Sequence, residues 1–243
     1  FDEQVFCRKD EPRVFSSRKI CFKTREHQSY LLGVATEITG LHDLLRYEQI
    51  NNEILTYAVS EPEFPAVIDR VLQGALSYLK CDRAIFAGYG PDNALHFTRG
   101  AHSEKGGAFD VYGMSITEQL WNSLLERLRK HETVYSEDSA KVPEANEVLK
   151  RYPDFPKHSV TAVPVFVGEE LIGALYATTL GNRAYSPLDT RFMSVMGSII
   201  ALAKIRERQI LAVKKVEALS QRILDNLNMP IWLYDSDGVV IQT

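Results

Sequence analysis

The sequence predicts an α+β protein in which antiparallel hairpins alternate with amphipathic helices. Short segments with continuous or alternating apolar residues, such as 83–90 and 159–180, are typical of strands. Turn residues follow or divide these segments at 90–93 and 168–170, so their strands are predicted to form hairpins. Other segments, such as 66–79, repeat apolar residues every three or four positions and predict amphipathic helices.

The first half of the chain begins with strand patterns and changes to helix patterns near residue 40. Residues 13–39 predict a hairpin, and because two strands alone are marginally stable, we expect it to belong to a larger sheet. Ser115, three residues before Glu118, predicts a capping box at the start of a later helix. The predicted elements after the first hairpin are a helix from Leu41 to near Pro62, a helix at 66–79, a hairpin at 83–101, a loop at 103–110 and a helix at 115–131.

The second half is dominated by one long predicted helix. It begins near Ser186 and Pro187, since proline suits a first helical turn, and runs to about Leu227. A strand, an Asp-Gly turn and a second strand follow at 231–243, which indicates the start of another domain. Before the long helix, the predicted elements are a short strand at 133–138, a short helix at 143–152 and the hairpin at 159–180.

The far part of the long helix carries a four–three repeat of apolar residues. Gln209 interrupts the repeat, and the segment 204–209 offers few apolar residues for packing within one domain. A helix packed on its own domain is the alternative, but we favour a coiled-coil seam between two copies of the chain. The seam consists of Leu202, Ile205, Ala212, Val216, Leu219 and Ile223.

Composition and charge limit the classes of function. Hydrophobic residues make up 45% and charged residues 25% of the 243 positions, which is typical of a globular protein. The net charge of -4, with dispersed basic residues, does not favour nucleic-acid binding. Neither a membrane-spanning run nor a signal peptide is recognisable, so we expect a cytoplasmic segment without direct membrane contact. The chain ends suggest an excised piece of a longer protein, whose anchor could lie elsewhere.

Motifs at both ends and in the middle resemble known signalling domains. Residues 33–48 resemble the close of a PAS domain, with Glu37-Ile38-Thr39 as its final motif, and 222–243 resemble the opening of another. The segment between them resembles a GAF domain in Val163-Pro164, Gly168, Ile172-Gly173 and Ser186-Pro187. The resemblance implies a GAF-type central antiparallel sheet with helices on its faces, long linker helices at both ends and partial PAS strands at both termini. The predicted divisions are a PAS end at 1–40, a linker helix at 41–60, the GAF domain at 61–208, a signalling helix at 209–227 and a PAS start at 228–243.

Such a series of domains is similar to the input half of bacterial sensor histidine kinases of two-component phosphorelays. The resemblance implies a non-catalytic sensory region that forms a homodimer through its linker helices. A diguanylate cyclase, a phosphodiesterase or a transcription regulator as the output remains the alternative. A GAF-type thiol reductase that uses Cys81 is a further alternative, which we favour less.

Several residues invite a chemical role that their surroundings do not support. His42 is followed by Asp43, but the proline-ended stretch of phosphoacceptor motifs is missing after it. Cys81 has no adjacent histidine for a bilin attachment site and is expected to be buried packing. Gly88 and Gly90 lack the third glycine of a phosphate loop and predict a hairpin turn. His96 and His102 lack further ligands at metal-binding spacing, so we expect no metal.

The favoured ligand hypothesis is a pocket between the sheet and its covering helices. Mostly apolar clefts with a few polar groups are where small molecules bind. That the aromatic side chains simply fill a core is the alternative, and we weigh it more heavily because a sequence does not show a cavity. We predict an unidentified small molecule and no dedicated cofactor. The candidate pocket residues are Phe86, Phe97, Arg99, Phe109, Trp121, Tyr135, Tyr176 and Thr178.

Overall fold

The computed structural model describes residues 2–6, 12–23, 28–108, 115–116, 118–138, 141, 158–226, 233–234, 236–237 and 239–242. Its helices are α1 (Thr39–Ser60), α2 (Phe64–Leu79), α3 (Glu118–Arg129) and α4 (Pro187–Asn226). Its strands are β1 (Asp2–Phe6), β2 (Pro12–Lys23), β3 (Ser29–Glu37), β4 (Arg83–Tyr89), β5 (Leu95–His102), β6 (Ser115–Ile116), β7 (Val134–Ser136), β8 (His158–Val167), β9 (Glu170–Leu180), β10 (Leu233–Tyr234) and β11 (Val240–Gln242).

A six-stranded sheet forms the centre of the chain, in the order β6-β5-β4-β9-β8-β7. Every neighbouring pair in it is antiparallel. Strand β4 lies beside β9, which is remote from it in sequence, so the two predicted hairpins join edge to edge. The predicted α+β class with a central antiparallel sheet and helices on its faces is therefore confirmed.

Helices α2 and α4 cover one face of this sheet and α1 packs on these two helices; we call this face the three-helix side. Phe192 and Met196 of α4 are fully buried there against strand residues such as Leu175. The ring of Tyr78 from α2 stacks on Phe192 at 4.2 Å, and Tyr47 of α1 meets Phe192 edge-on at 6.0 Å. Helix α1 therefore contributes to the core of the domain and does not only link it to what precedes.

Helix α3 covers the other face, which we call the α3 side. Its Leu125 and Leu128 are fully buried against strand residues that alternate with those of the three-helix side. On β4, for example, Ile85 belongs to the α3 side and Phe86 to the three-helix side. This period of two is the strand pattern that the sequence showed.

Smaller sheets occupy both ends of the chain. The predicted hairpin at 13–39 is present as β2 and β3, and β1 adds a third strand that the sequence did not indicate. Strands β10 and β11 pair at the other end, as predicted for 231–243. Large apolar side chains of β2 and β3, including Phe22 and Leu31, are exposed. The identity of these sheets as parts of PAS domains remains a prediction.

Two predicted helix starts can be compared with the structure. The long helix was expected from about 186 to 227, and α4 spans 187–226, so this prediction is confirmed. The capping box at Ser115 is wrong, because Ser115 lies in β6, where it pairs with His96, and α3 begins only at Glu118. The helix predicted at 143–152 lies outside the described residues. No helix in the described part of the chain is long and apolar enough to cross a bilayer.

Candidate functional site

The candidate site lies on the α3 side of the central sheet, around Tyr176 of β9. Its ring meets Phe97 of β5 edge-to-face, with centroids 5.6 Å apart. Buried Ile85 and Leu125 belong to the same apolar cluster, from the sheet and from α3 respectively. Tyr176, which lies in a middle strand of the sheet, is thus surrounded almost entirely by apolar side chains.

The hydroxyl of Tyr176 is buried and has no hydrogen-bond partner among the described residues. Burial raises the pKa of this phenol above its usual range, so the group is neutral at any physiological pH. A buried hydroxyl without a partner costs about 1–3 kcal/mol of folding free energy, and such groups are rare in native proteins. Among the described residues, this hydroxyl is therefore an unused donor and acceptor at the centre of the α3 side.

The strand register divides the predicted pocket residues between the two faces of the sheet. Phe86 pairs with Arg99, and both point to the three-helix side, whereas Ala87 pairs with Phe97 on the α3 side. A register shift between Phe86 and Ala87 places Phe97 and Arg99 on opposite faces although they are two residues apart. The candidate residues therefore do not line one pocket, which corrects the prediction in its geometry.

Three of the predicted residues lie on the three-helix side and have other partners there. Phe86 meets Phe64 of α2 edge-on at 6.4 Å. Arg99 forms an ion pair with Asp69 of α2 at 2.5 Å. Tyr135 is 40% exposed and its ring lies edge-on to buried Tyr185 at 6.1 Å. These contacts pack helices and strands together, and they do not face Tyr176.

The remaining predicted residues are Thr178, Phe109 and Trp121. Thr178 lies two positions after Tyr176 on β9, so it shares the α3 side and is partly buried. Phe109 and the side chain of Trp121 lie outside the described residues. Phe97, Tyr176 and Thr178 are thus the predicted residues that the structure places on the α3 side. Whether they bind a ligand remains a prediction.

Arg83 is a polar residue of the α3 side that the sequence reasoning missed. It pairs in register with Thr178, is 7% exposed, and its Nε donates a hydrogen bond to the carbonyl oxygen of Gly106 at 2.5 Å. Burial lowers the pKa of its guanidinium. The sequence does contain a signal for this residue. Arg83 lies two positions before Ile85 on the same strand, so both face inward, and an arginine at an inward position of a central strand is uncommon.

The surroundings of Cys81 and of the histidines indicate packing and local polar contacts. Cys81 is buried on the three-helix side, and burial raises the pKa of its thiol to about 12. Nε2 of His96 lies 2.9 Å from a carboxylate oxygen of Asp92 in the β4–β5 turn, and Nδ1 of His102 lies 3.1 Å from the carbonyl oxygen of Ser103. His42 lies in the first turns of α1, 3.8 Å from Asp43. Among the described residues, no group of three or more His, Cys, Asp and Glu could hold a metal ion.

An open groove of about 470 Å³ lies elsewhere, on the three-helix side between β8 and α4. Its floor includes buried Val163 and Val165, and its rim includes Leu202 and Ile205 of the predicted seam. None of the predicted pocket residues lines it. The groove and the α3 side are therefore separate features.

Comparison with protein families gives a match at residues 61–203 to the family described as GAF domain. The match covers more than half of the chain, and the chain belongs to the GAF domain family. Its range begins one residue after α1 and ends within α4, so it includes the whole six-stranded sheet. A comparison with the curated proteins gives no match.

Solved structures with a similar fold include GAF domains and a reductase. The phycoerythrobilin-bound GAF domain of a cyanobacterial phytochrome has a TM-score of 0.58 and 17% identity, over 68% of this chain and 97% of that one. Free methionine-R-sulfoxide reductase from Neisseria meningitidis, in complex with its substrate, has a TM-score of 0.56 and 14% identity, over 68% and 91%. The PixJ GAF domain of Thermosynechococcus elongatus, in its blue-light absorbing form, has a TM-score of 0.53 and 16% identity, over 65% and 93%. At these sequence identities the similarity shows the fold alone.

Proposed function

We propose that the chain is the sensory and signal-transmitting region of a regulatory protein, and that its GAF domain binds a small molecule on the α3 side. The observation that carries this proposal is the buried hydroxyl of Tyr176, for which the described part of the chain offers no hydrogen-bond partner. A ligand with a hydrogen-bonding group would satisfy this hydroxyl, while Phe97 and Thr178 would contact its apolar and polar parts. The proposal thus gives a reason for a polar group that otherwise only destabilises the domain.

The similar structures support a small-molecule site in a domain of this fold. One of them holds phycoerythrobilin and another is in complex with its substrate. A covalently attached bilin does not fit the residues of this chain. Cys81 lies buried on the three-helix side, Cys21 is exposed on β2, and no cysteine of the sequence has a histidine beside it. The proposed ligand is therefore held without a covalent bond.

A thiol reductase remains the enzymatic alternative, because one of the solved structures with a similar fold is a methionine-R-sulfoxide reductase. The nucleophile of such chemistry is a thiolate. Cys81 has a pKa of about 12 because of its burial, so its thiol stays protonated at neutral pH. We therefore propose that this region is not catalytic and acts through binding.

The arrangement of α1 and α4 supports a role in transmission. Tyr47 of α1 meets Phe192 of α4, and the last turn of α1 meets Arg206 further along α4, so the two helices run in the same direction. A displacement of α1 along its axis is therefore passed to α4 in the same direction. The predicted seam lies on the exposed surface of α4, with Val216, Leu219 and Ile223 each more than half exposed. A homodimer that buries this seam is part of the proposal.

The output of the parent protein is proposed from the resemblance at both chain ends. The close of a PAS domain at 33–48 and the opening of another at 222–243 support a cytoplasmic sensor histidine kinase of a two-component system. A diguanylate cyclase, a phosphodiesterase or a transcription regulator is the second choice. Residues that follow Thr243 in the parent protein discriminate between these outputs directly.

Thermal unfolding with a panel of metabolites tests the ligand-binding part of the proposal. A ligand present at about 100 times its Kd stabilises the folded state by about 2.7 kcal/mol. We expect at least one compound to raise the Tm of the wild-type chain and to raise that of Tyr176→Phe less, since the variant lacks the hydroxyl. The proposal is wrong if no compound stabilises the chain, or if every stabilising compound acts equally on both proteins.

A further inference from the structure

Three cationic residues of α4 contact three different parts of the domain within little more than one helical turn. We call Lys204, Arg206 and Arg208 the exit collar. The ammonium group of Lys204 lies over the ring of Phe64, at 4.6 Å from its centroid, and 2.6 Å from Glu207. Phe64 begins α2, so Lys204 joins α4 to the start of that helix.

Arg206 binds the end of α1. Its Nη1 lies within hydrogen-bond distance of the carbonyl oxygens of Ala58 at 3.3 Å, of Glu61 at 3.2 Å, and of Val59. The last carbonyls of a helix lack partners within the helix and carry its partial negative charge. A guanidinium satisfies several of them at once, so Arg206 acts as a cap for α1 that is supplied by α4.

Arg208 binds the start of β9. Both of its Nη atoms donate to the carboxylate of Glu170 at 2.8 Å, which is a bidentate pair. The pair lowers the pKa of Glu170 and raises that of Arg208. Because both groups are exposed, the pair adds little to global stability, but its two parallel bonds fix the orientation of the helix. Glu170 begins the strand that carries Tyr176.

The collar lies where α4 leaves the domain. Before it, residues such as Met196 and Ile200 are fully buried in the three-helix side. After it, every residue from 211 to 223 is exposed. The 40-residue helix is thus divided into a part held by the core and a projecting part, and the collar stands between them.

We propose that the exit collar is the joint that fixes how α4 leaves the domain and ties this exit to the end of α1 and the start of β9. The inference rests on the proposed function only in assigning a signal to α4. Movement of α1 or of β9 reaches the projecting half of α4 through Arg206 and Arg208. The test needs no ligand, so its failure is distinguishable from failure of the binding proposal.

Amide hydrogen exchange on the full 243-residue chain tests the joint. In the double variant Arg206→Gln/Arg208→Gln we expect exchange about tenfold faster at α4 residues 204–212 and at the last turn of α1, because charged hydrogen bonds are lost there. The segment 192–200, which carries the core residues of α4, serves as the internal reference and stays unchanged. Lys214→Gln/Lys215→Gln, which removes two exposed cations from the projecting half, is the matched control and leaves all of these segments unchanged.

Swapping the two charges of the Glu170–Arg208 pair separates the effect of the paired geometry from the effect of losing a charge. Glu170→Arg and Arg208→Glu each break the bidentate pair, and both together restore it in reverse. We expect each single variant to accelerate exchange at 204–212 and the double variant to return it to within about twofold of wild type. Unchanged amide hydrogen exchange at 204–212 in Arg206→Gln/Arg208→Gln would overturn the proposal. So would a Glu170→Arg/Arg208→Glu variant in which the hydrogen-exchange rate does not recover.

Discussion

Replacement of Tyr176 by phenylalanine isolates the hydroxyl on which the proposed site depends. The ring keeps its volume and its edge-to-face contact with Phe97, and only the buried oxygen is removed. Because that oxygen has no partner among the described residues, its removal leaves none of their polar groups unsatisfied. Most substitutions of a buried residue destabilise a protein, and this one is expected to do the opposite.

The magnitude follows from the cost of an unsatisfied buried hydroxyl. Removal of that cost stabilises the ligand-free protein by about 1–3 kcal/mol. For a chain of this length, each kcal/mol raises the Tm by about 2–4 °C. A ligand that uses the hydroxyl loses one hydrogen bond in the variant, which weakens its affinity by about 2–10-fold. The variant therefore gains stability and loses binding.

Tyr185 provides the matched control, because it is a second buried tyrosine of the same domain. Its hydroxyl donates to the carbonyl oxygen of Ala177 at 3.3 Å and shares a hydrogen bond with the hydroxyl of Thr179 at 3.1 Å. Tyr185→Phe is expected to lower stability by about 0.5–1.5 kcal/mol. Chemical denaturation of the ligand-free proteins measures both changes. If Tyr176→Phe is destabilised like Tyr185→Phe, the reasoning about an unused hydroxyl is refuted.

Three further predictions concern the core, the dimer and the thiol. Gly173→Ala is expected to destabilise the domain by about 1–3 kcal/mol in denaturant titrations, because its Cβ would lie 2.6 Å from the ring of Phe86 and against a backbone carbonyl. Gly88→Ala, whose Cβ would meet nothing closer than 3.7 Å, is the control that should lack this loss. Leu219→Glu is expected to shift the chain from dimer to monomer in sedimentation, while Leu211→Glu, exposed but outside the seam, should not; equal behaviour of the two would count against the seam. Cys81 is expected to stay unmodified by a thiol reagent at pH 8 until the protein unfolds, because burial holds its pKa near 12; rapid labelling of the folded protein, seen by peptide mass spectrometry, would contradict this.

The local elements could be predicted because short-range signals determine them. The hairpin at 159–180 and the helix start at Pro187 follow from alternation, turn residues and proline geometry, and the structure confirms them. The pairing of β4 with β9 could not be read in the same way, since no local pattern specifies which remote strands adjoin. The capping box at Ser115 failed because a two-residue strand pairs with β5 at that position, and tertiary pairing outweighed the local signal.

The candidate site was predicted only in part because its geometry depends on one register shift. The aromatic residues were chosen by type, and type does not reveal the face of a strand. The irregularity between Phe86 and Ala87 sends Arg99 to the side opposite Phe97, and neither a glycine nor a turn residue at 97–99 marks it in advance. Tyr176 and Thr178, two apart on a regular strand, share a face as alternation requires. That the hydroxyl of Tyr176 lacks a partner within the described ranges is a property of the packed structure and has no signature in the sequence.

The central claim is that the α3 side of this GAF domain holds a small molecule through Tyr176. Native mass spectrometry of the folded chain after incubation with a metabolite extract tests it most directly, with wild type and Tyr176→Phe measured side by side. The account predicts that the wild-type chain retains a non-covalent small molecule and that Tyr176→Phe retains less of it under the same conditions. An absence of any bound species on the wild-type chain, or equal retention by both proteins, would contradict it.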